Sequence, residues 1–228
     1  MANIFGRASD ERQWQSPDYG VIMDRHKTVI GVKGIGSGSG TTFTAMNLAF
    51  ELAETVGTTE GVTYMEGRMQ PPGCRKMSDI LSVDPQFRRR LSRGKTNIYK
   101  KVNWAAENQD YRGAAGRYII VDDPENYDEL DLVVAVADPL PSRIEAGIET
   151  YGKLRQLQIP VIWIVNKANP QAGIREVESF LKQKFDYRLE LLPAEVFYKA
   201  EFACTQQYFI QKPRAIEKVA QHILEHNK

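Results

Sequence analysis

Cysteine is nearly missing from these 228 residues: Cys74 and Cys204 are the only two, far apart and with no CxxC or Cys/His spacing around them. That excludes a disulfide-built scaffold and a thiolate metal knuckle, and it suits reduced thiols in a cytosol. No apolar run approaches the roughly eighteen residues that would span a bilayer. Met1 to Gln15 is polar rather than leader-like, so a cytoplasmic protein is expected. An excess of one charge is also lacking: 30 basic against 29 acidic side chains leave +1, which predicts neither a nucleic-acid coat nor an acidic tail. What is present, 42% hydrophobic and 26% charged residues over this length, suffices for one sizeable core.

Residues 1–27 are polar, contain Pro17 and Gly20 and show no sustained period, so they read as an N-terminal arm. Residues 28–228 read as one α/β domain. Short β-branched runs alternate there with segments of helical period, the pattern of βαβ units around a mostly parallel, doubly wound sheet. Strands are predicted over Thr28 to Lys33, Val62 to Glu66, Arg117 to Asp122, Leu132 to Ala137, Val161 to Asn166 and Tyr187 to Leu192. Most lack alternation, as strands covered on both faces should. Helices are predicted over Thr41 to Thr55, Ser142 to Leu157, Ile174 to Lys184 and Arg214 to Glu225. The last sets Ile216, Val219, Ala220, Ile223 and Leu224 on one face, which is a core face in the simplest reading.

The densest signal follows the first strand: Gly34-Ile35-Gly36-Ser37-Gly38-Ser39-Gly40-Thr41-Thr42, then a helix opening with Phe43-Thr44-Ala45-Met46-Asn47. A glycine-rich turn between a buried strand and a helix lets backbone N–H groups converge on a phosphate, and the helix N-terminus adds partial positive charge. The bland alternative is a flexible Gly/Ser turn with no ligand.

Gly40-Thr41-Thr42-Phe43-Thr44-Ala45-Met46-Asn47-Leu48-Ala49 resembles the GKTTTAxNLA signature of the ParA/MinD P-loop ATPases at every position apart from Thr41 and Phe43. The resemblance implies a P-loop that holds ATP or ADP through Gly36, Ser37, Gly38, Ser39, Gly40, Thr41 and Thr42, with the Thr42 hydroxyl on Mg²⁺. Thr41 takes the place of the P-loop lysine and Gly36 that of the family's second, signature lysine; both cations are lacking, and Lys33 is the nearest conceivable substitute. Tyr118-Ile119-Ile120-Val121-Asp122-Asp123-Pro124 is similar to the strand that ends in Asp-x-Pro, which makes Asp122 the metal-side carboxylate. Val161 to Lys167 looks like the late strand whose asparagine contacts adenine, which puts Asn166 at the base with Lys167 beside it. The second strand departs from the family's Asp-x-Asp: Glu66 stands at the first carboxylate and Arg68 at the second, where a guanidinium cannot orient water.

Phosphoryl transfer is catalysed by positioning and charge stabilisation, so these losses remove more from hydrolysis than from binding. The expectation is a nucleotide-binding protein with weak or absent turnover. The family likeness implies a homodimer, and the lysine-poor loop resembles the CpaE/TadZ branch, which implies a positioning or assembly role for pilus or secretion machinery. An active switch with a replacement cation and a ligand-free scaffold are the rival readings. Arg88, Arg89 and Arg90, within the basic segment Gln86 to Lys101, would suit nucleic acid or an anionic membrane, but a solvated helix face accounts for them more simply.

Overall fold

The computed structural model describes residues 27–57, 60–67, 102–105, 110–169, 173–202 and 207–226. Residues 1–26 of the expected arm, Arg68, both cysteines and the basic segment with Arg88, Arg89 and Arg90 lie outside the described residues.

Seven strands form one sheet: β1 (Thr28–Ile35), β2 (Val62–Glu66), β3 (Val102–Ala105), β4 (Tyr118–Asp122), β5 (Leu132–Ala137), β6 (Val161–Ala168) and β7 (Tyr187–Glu190). They are ordered β3-β2-β4-β1-β5-β6-β7 and every pairing is parallel. The described helices are α1 (Thr41–Val56), α2 (Pro141–Ala146), α3 (Ile148–Arg155), α4 (Ile174–Leu181), α5 (Ala194–Phe202) and α6 (Arg214–His226). The strand order reverses around β1, flanked by β4 and β5. In an open parallel sheet that reversal opens a crevice beyond the carboxyl ends of the strands, where ligands bind.

The uninterrupted apolar strands are buried on both sides, as their composition predicts. Val133, Val134, Ala135, Val136 and Ala137 are all fully buried. On one face α1 and α6 cover the sheet, with Leu48, Phe50 and Leu52 meeting Ile216, Val219 and Ile223. On the other, Ile144, Tyr151, Leu154, Val177 and Leu181 pack with Trp163 and Val165. The apolar stripe expected on the last helix is therefore a core face. Phe50 anchors the first layer between Tyr208 and Phe209, at ring-centroid distances of 5.4 and 5.2 Å. Phe50→Ala is expected to destabilise the fold by about 3–5 kcal/mol through the cavity it leaves, measured as a lower urea midpoint at unchanged slope.

Three expectations are corrected. The helix read over Ser142 to Leu157 is two helices, broken at Gly147, whose Cα lies against the main chain of the glycine-rich loop: an added Cβ would stand 2.6 Å from Gly36 N and 2.7 Å from Ile35 C. Arg117 precedes β4 instead of starting it, and the strand read to Leu192 ends at Glu190. β3 and α5 were not legible: β3 is short and follows the basic segment, and Ala194–Phe202 alternates apolar and charged residues without a sustained helical stripe.

Candidate nucleotide site

Gly36, Gly38 and Gly40 have φ of +84°, +76° and +90°. These left-handed residues alternate with Ser37 and Ser39, and that alternation turns successive N–H groups toward one concavity. The curl is fixed from inside. The buried Ser39 hydroxyl and the Thr41 hydroxyl share a hydrogen bond of 3.1 Å, both packed over Gly34. The Thr44 N–H donates to Gly40 O at 2.9 Å, which starts α1 directly at the loop's end.

The loop opens on a cavity of about 620 Å³ lined by Gly36, Ser37, Gly38, Gly40, Thr41 and Thr42, and by Lys33, Phe43, Glu66, Asp122, Asp123 and Thr150. Parallel register explains the meeting of the carboxylates: Val32 and Glu66 are both opposite Asp122 at the ends of adjacent strands. The Tyr64 hydroxyl donates to Asp122 Oδ2 at 2.7 Å. Asp122 Oδ1 is buried without a well-formed hydrogen bond. Burial pushes the Asp122 carboxyl up to about 6; bonds from Tyr64 and Thr42 oppose the rise, and the neighbouring charges of Asp123 and Glu66 add to it. A buried carboxylate oxygen next to Thr42, with acceptor capacity to spare, is the donor set a Mg²⁺ ion takes. Among the described residues no group of three or more His, Cys, Asp or Glu could hold a metal by itself.

The two lysines near the loop are engaged elsewhere. Lys33 Nζ lies 2.8 Å from Asp123 Oδ1 and donates to Pro124 O at 3.0 Å. Lys167 Nζ donates to Gly38 O and to Asp138 Oδ2, both at 2.6 Å. Asn166 is turned to the loop: its Nδ2 donates to Ser39 O at 2.9 Å, and its Oδ1 accepts from Lys167 N. The same amide occupies the space a side chain at Gly40 would need. Asn166 does not line the cavity. The structure thus brings Gly36, Ser37, Gly38, Gly40, Thr41, Thr42, Glu66 and Asp122 around one cavity, with Ser39 turned inside the loop and Asn166 and Lys167 behind it as its fasteners.

Tyr64, Asp138 and Thr150 were missed in the sequence. Asp138, the first residue after β5, carried a signal like that of Asp122, a carboxylate at a strand's carboxyl end. Tyr64 sits in an apolar run where its hydroxyl gave no sign.

No protein-family model matches the sequence, and a search of curated proteins finds no significant match. Solved structures do match in fold. A ParA family ATPase from Chlorobium tepidum superposes with a TM-score of 0.58 at 13% identity, covering 87% of this chain and 99% of the other. The MinD cell division ATPase of Pyrococcus furiosus gives 0.56 at 14%, covering 88% and 99%. A putative plasmid partition protein from Borrelia burgdorferi, bound to AMPPNP, gives 0.55 at 14%, covering 88% and 98%. With its parallel seven-stranded sheet and the glycine-rich loop after the central strand, the described chain has the α/β fold of the ParA and MinD ATPases.

Proposed function

We propose that this protein binds Mg²⁺-ATP or Mg²⁺-ADP in the cavity beyond β1 and hydrolyses it slowly or not at all. As a homodimer it would serve as a nucleotide-dependent positioning or assembly factor, with pilus or secretion machinery as the cargo its loop sequence suggests. The carrying observation is a formed phosphate cradle that faces the buried Asp122 oxygen and contains no lysine. Thr42 and Asp122 would hold the metal, which would neutralise phosphate charge and orient the chain of phosphates. Lys33 and Lys167 are each tied to a carboxylate, so neither replaces the missing P-loop cation without breaking an ion pair. A plasmid partition protein of the same fold solved with AMPPNP bound supports a nucleotide as the ligand.

Thermal unfolding is the direct test. At a concentration of one hundred times Kd, Mg²⁺-ATP should add about 2.7 kcal/mol of stability, read as a rise in Tm. Gly40→Val should abolish the rise, because a side chain there meets the Asn166 amide and the backbone is left-handed. Absence of any shift with ATP and ADP at millimolar concentration would overturn the proposal.

Asn166→Ala should weaken inorganic triphosphate as well as ATP. The amide fastens the Ser39 carbonyl in addition to any contact with a base. Competition titrations of both ligands measure this; a loss confined to ATP would assign Asn166 to the base alone.

A further inference from the structure

We infer that Arg143, on α2, supplies the cation that the glycine-rich loop lacks and meets the phosphates of a bound nucleotide from outside the loop. The inference rests on the nucleotide-binding reading above.

The space beside Gly36 is filled by Arg143 itself. A Cβ at Gly36 would lie 2.5 Å from Arg143 O, so the main chain of Arg143 stands where a side chain of residue 36 would begin. The break between α2 and α3 makes this approach feasible. Gly147 brings its bare Cα against Gly36 N, and its own N–H donates to Arg143 O at 3.1 Å. With the main chain so placed, the side chain runs along the loop. The Arg143 guanidinium carbon and its two terminal nitrogens lie 3.8, 3.9 and 4.0 Å from the position of a Cβ on Gly38, a residue that lines the cavity.

The electrostatic state of this arginine differs from that of its neighbours. Lys33 is paired with Asp123, Lys167 with Asp138, and Lys153 with Glu149. The exposed Arg143 side chain has no carboxylate partner among the described residues. An exposed arginine at the rim of a phosphate cradle keeps its donors for an incoming anion, and its planar fork binds two phosphate oxygens at once. Arg143 does not itself line the cavity, so contact with a phosphate requires the guanidinium to swing across Gly38, which does. The conformational cost is small for a side chain held by no ion pair among the described residues.

The test is calorimetric titration of Mg²⁺-ATP, with inorganic triphosphate as competitor, on the unaltered protein and on Arg143→Gln and Arg143→Lys. Losing a charge-assisted contact should weaken both ligands about 10- to 100-fold in the glutamine variant, and by a similar factor for each, because the guanidinium reads phosphate and not base. Lysine should recover part of the affinity, as a point charge without the fork. The melting temperature without ligand should stay put, since the contacts to Gly36 and Gly147 come from main-chain atoms that neither substitution removes. Unchanged affinities, a loss confined to ATP, or failure of lysine to recover any of it would overturn the role of Arg143 and leave nucleotide binding intact. If the unaltered protein binds neither ATP nor triphosphate, both readings fall together.

Discussion

Gly36→Lys, the substitution that would reinstate the signature cation, is expected to unseat the glycine-rich loop instead of restoring it. The residue has φ of +84°, which costs a side chain-bearing residue about 1–2 kcal/mol. Its Cβ would meet a backbone oxygen at 2.5 Å, an overlap worth roughly another 1–3 kcal/mol of displacement. The variant should unfold about 2–5 kcal/mol more easily by those two contributions, and lose its response to Mg²⁺-ATP. Thr41→Lys is the contrasting case. That position opens α1 with ordinary helical geometry and lines the cavity, so an ammonium there should tighten ATP about tenfold through charge-assisted bonds to phosphate. Urea unfolding and ATP titration of the two variants side by side decide the matter. A Gly36→Lys protein as stable as its parent, with tighter ATP binding, would show that the α2–α3 junction yields.

Asp122→Asn should separate the metal from the phosphate. In the folded protein the Asp122 carboxyl titrates at about 6 because of burial, against about 3.9 in an unfolded chain. Between those values the folded state holds a proton that the unfolded state has released, so this group's stabilising contribution is present below pH 4 and lost as the pH rises through 6. Removing the charge should therefore stabilise the ligand-free protein by up to about 3 kcal/mol at pH 7.5 and by almost nothing at pH 4. In the same variant Mg²⁺ should no longer strengthen ATP binding. Melting curves across that pH range, with and without Mg²⁺ and ATP, provide the readout. A variant that melts lower than its parent at pH 7.5 would mean that the hydrogen bond from Tyr64 outweighs the buried charge.

What could be read without coordinates was set by how local the cause was. The loop was legible because its glycines and its helix start are contiguous, and Asp122 because a carboxylate after four apolar residues has few structural reasons to be there. The core strands were legible because burial on both faces leaves an unbroken apolar run. Arg143 was not. Nothing around it in sequence distinguishes it from any surface arginine, and its meaning arises from a backbone approach between residues more than a hundred positions apart. The break at Gly147 was hidden for a related reason: a glycine inside a helical pattern usually costs only about 1 kcal/mol, and here its lack of a side chain matters because of the loop packed against it. Asn166 shows the opposite limit, since its position was legible while its hydrogen bond to Ser39 O was not.

Protein groups alone, Asn166, Lys167 and the Ser39–Thr41 hydroxyl pair, fasten the loop. A cradle held in shape beforehand loses little chain entropy when it is filled, which favours fast association and a modest heat-capacity change, since little new surface is ordered. It also has little to report: a ligand moves an equilibrium only as far as it prefers one state over the other, and a loop fastened at three points has little room for a second state. Any signal of occupancy must therefore come from elements outside the loop, and hydrogen exchange should slow on adding nucleotide at the Gly36–Gly40 amides, which face the cavity, because the fastenings hold carbonyls and hydroxyls instead.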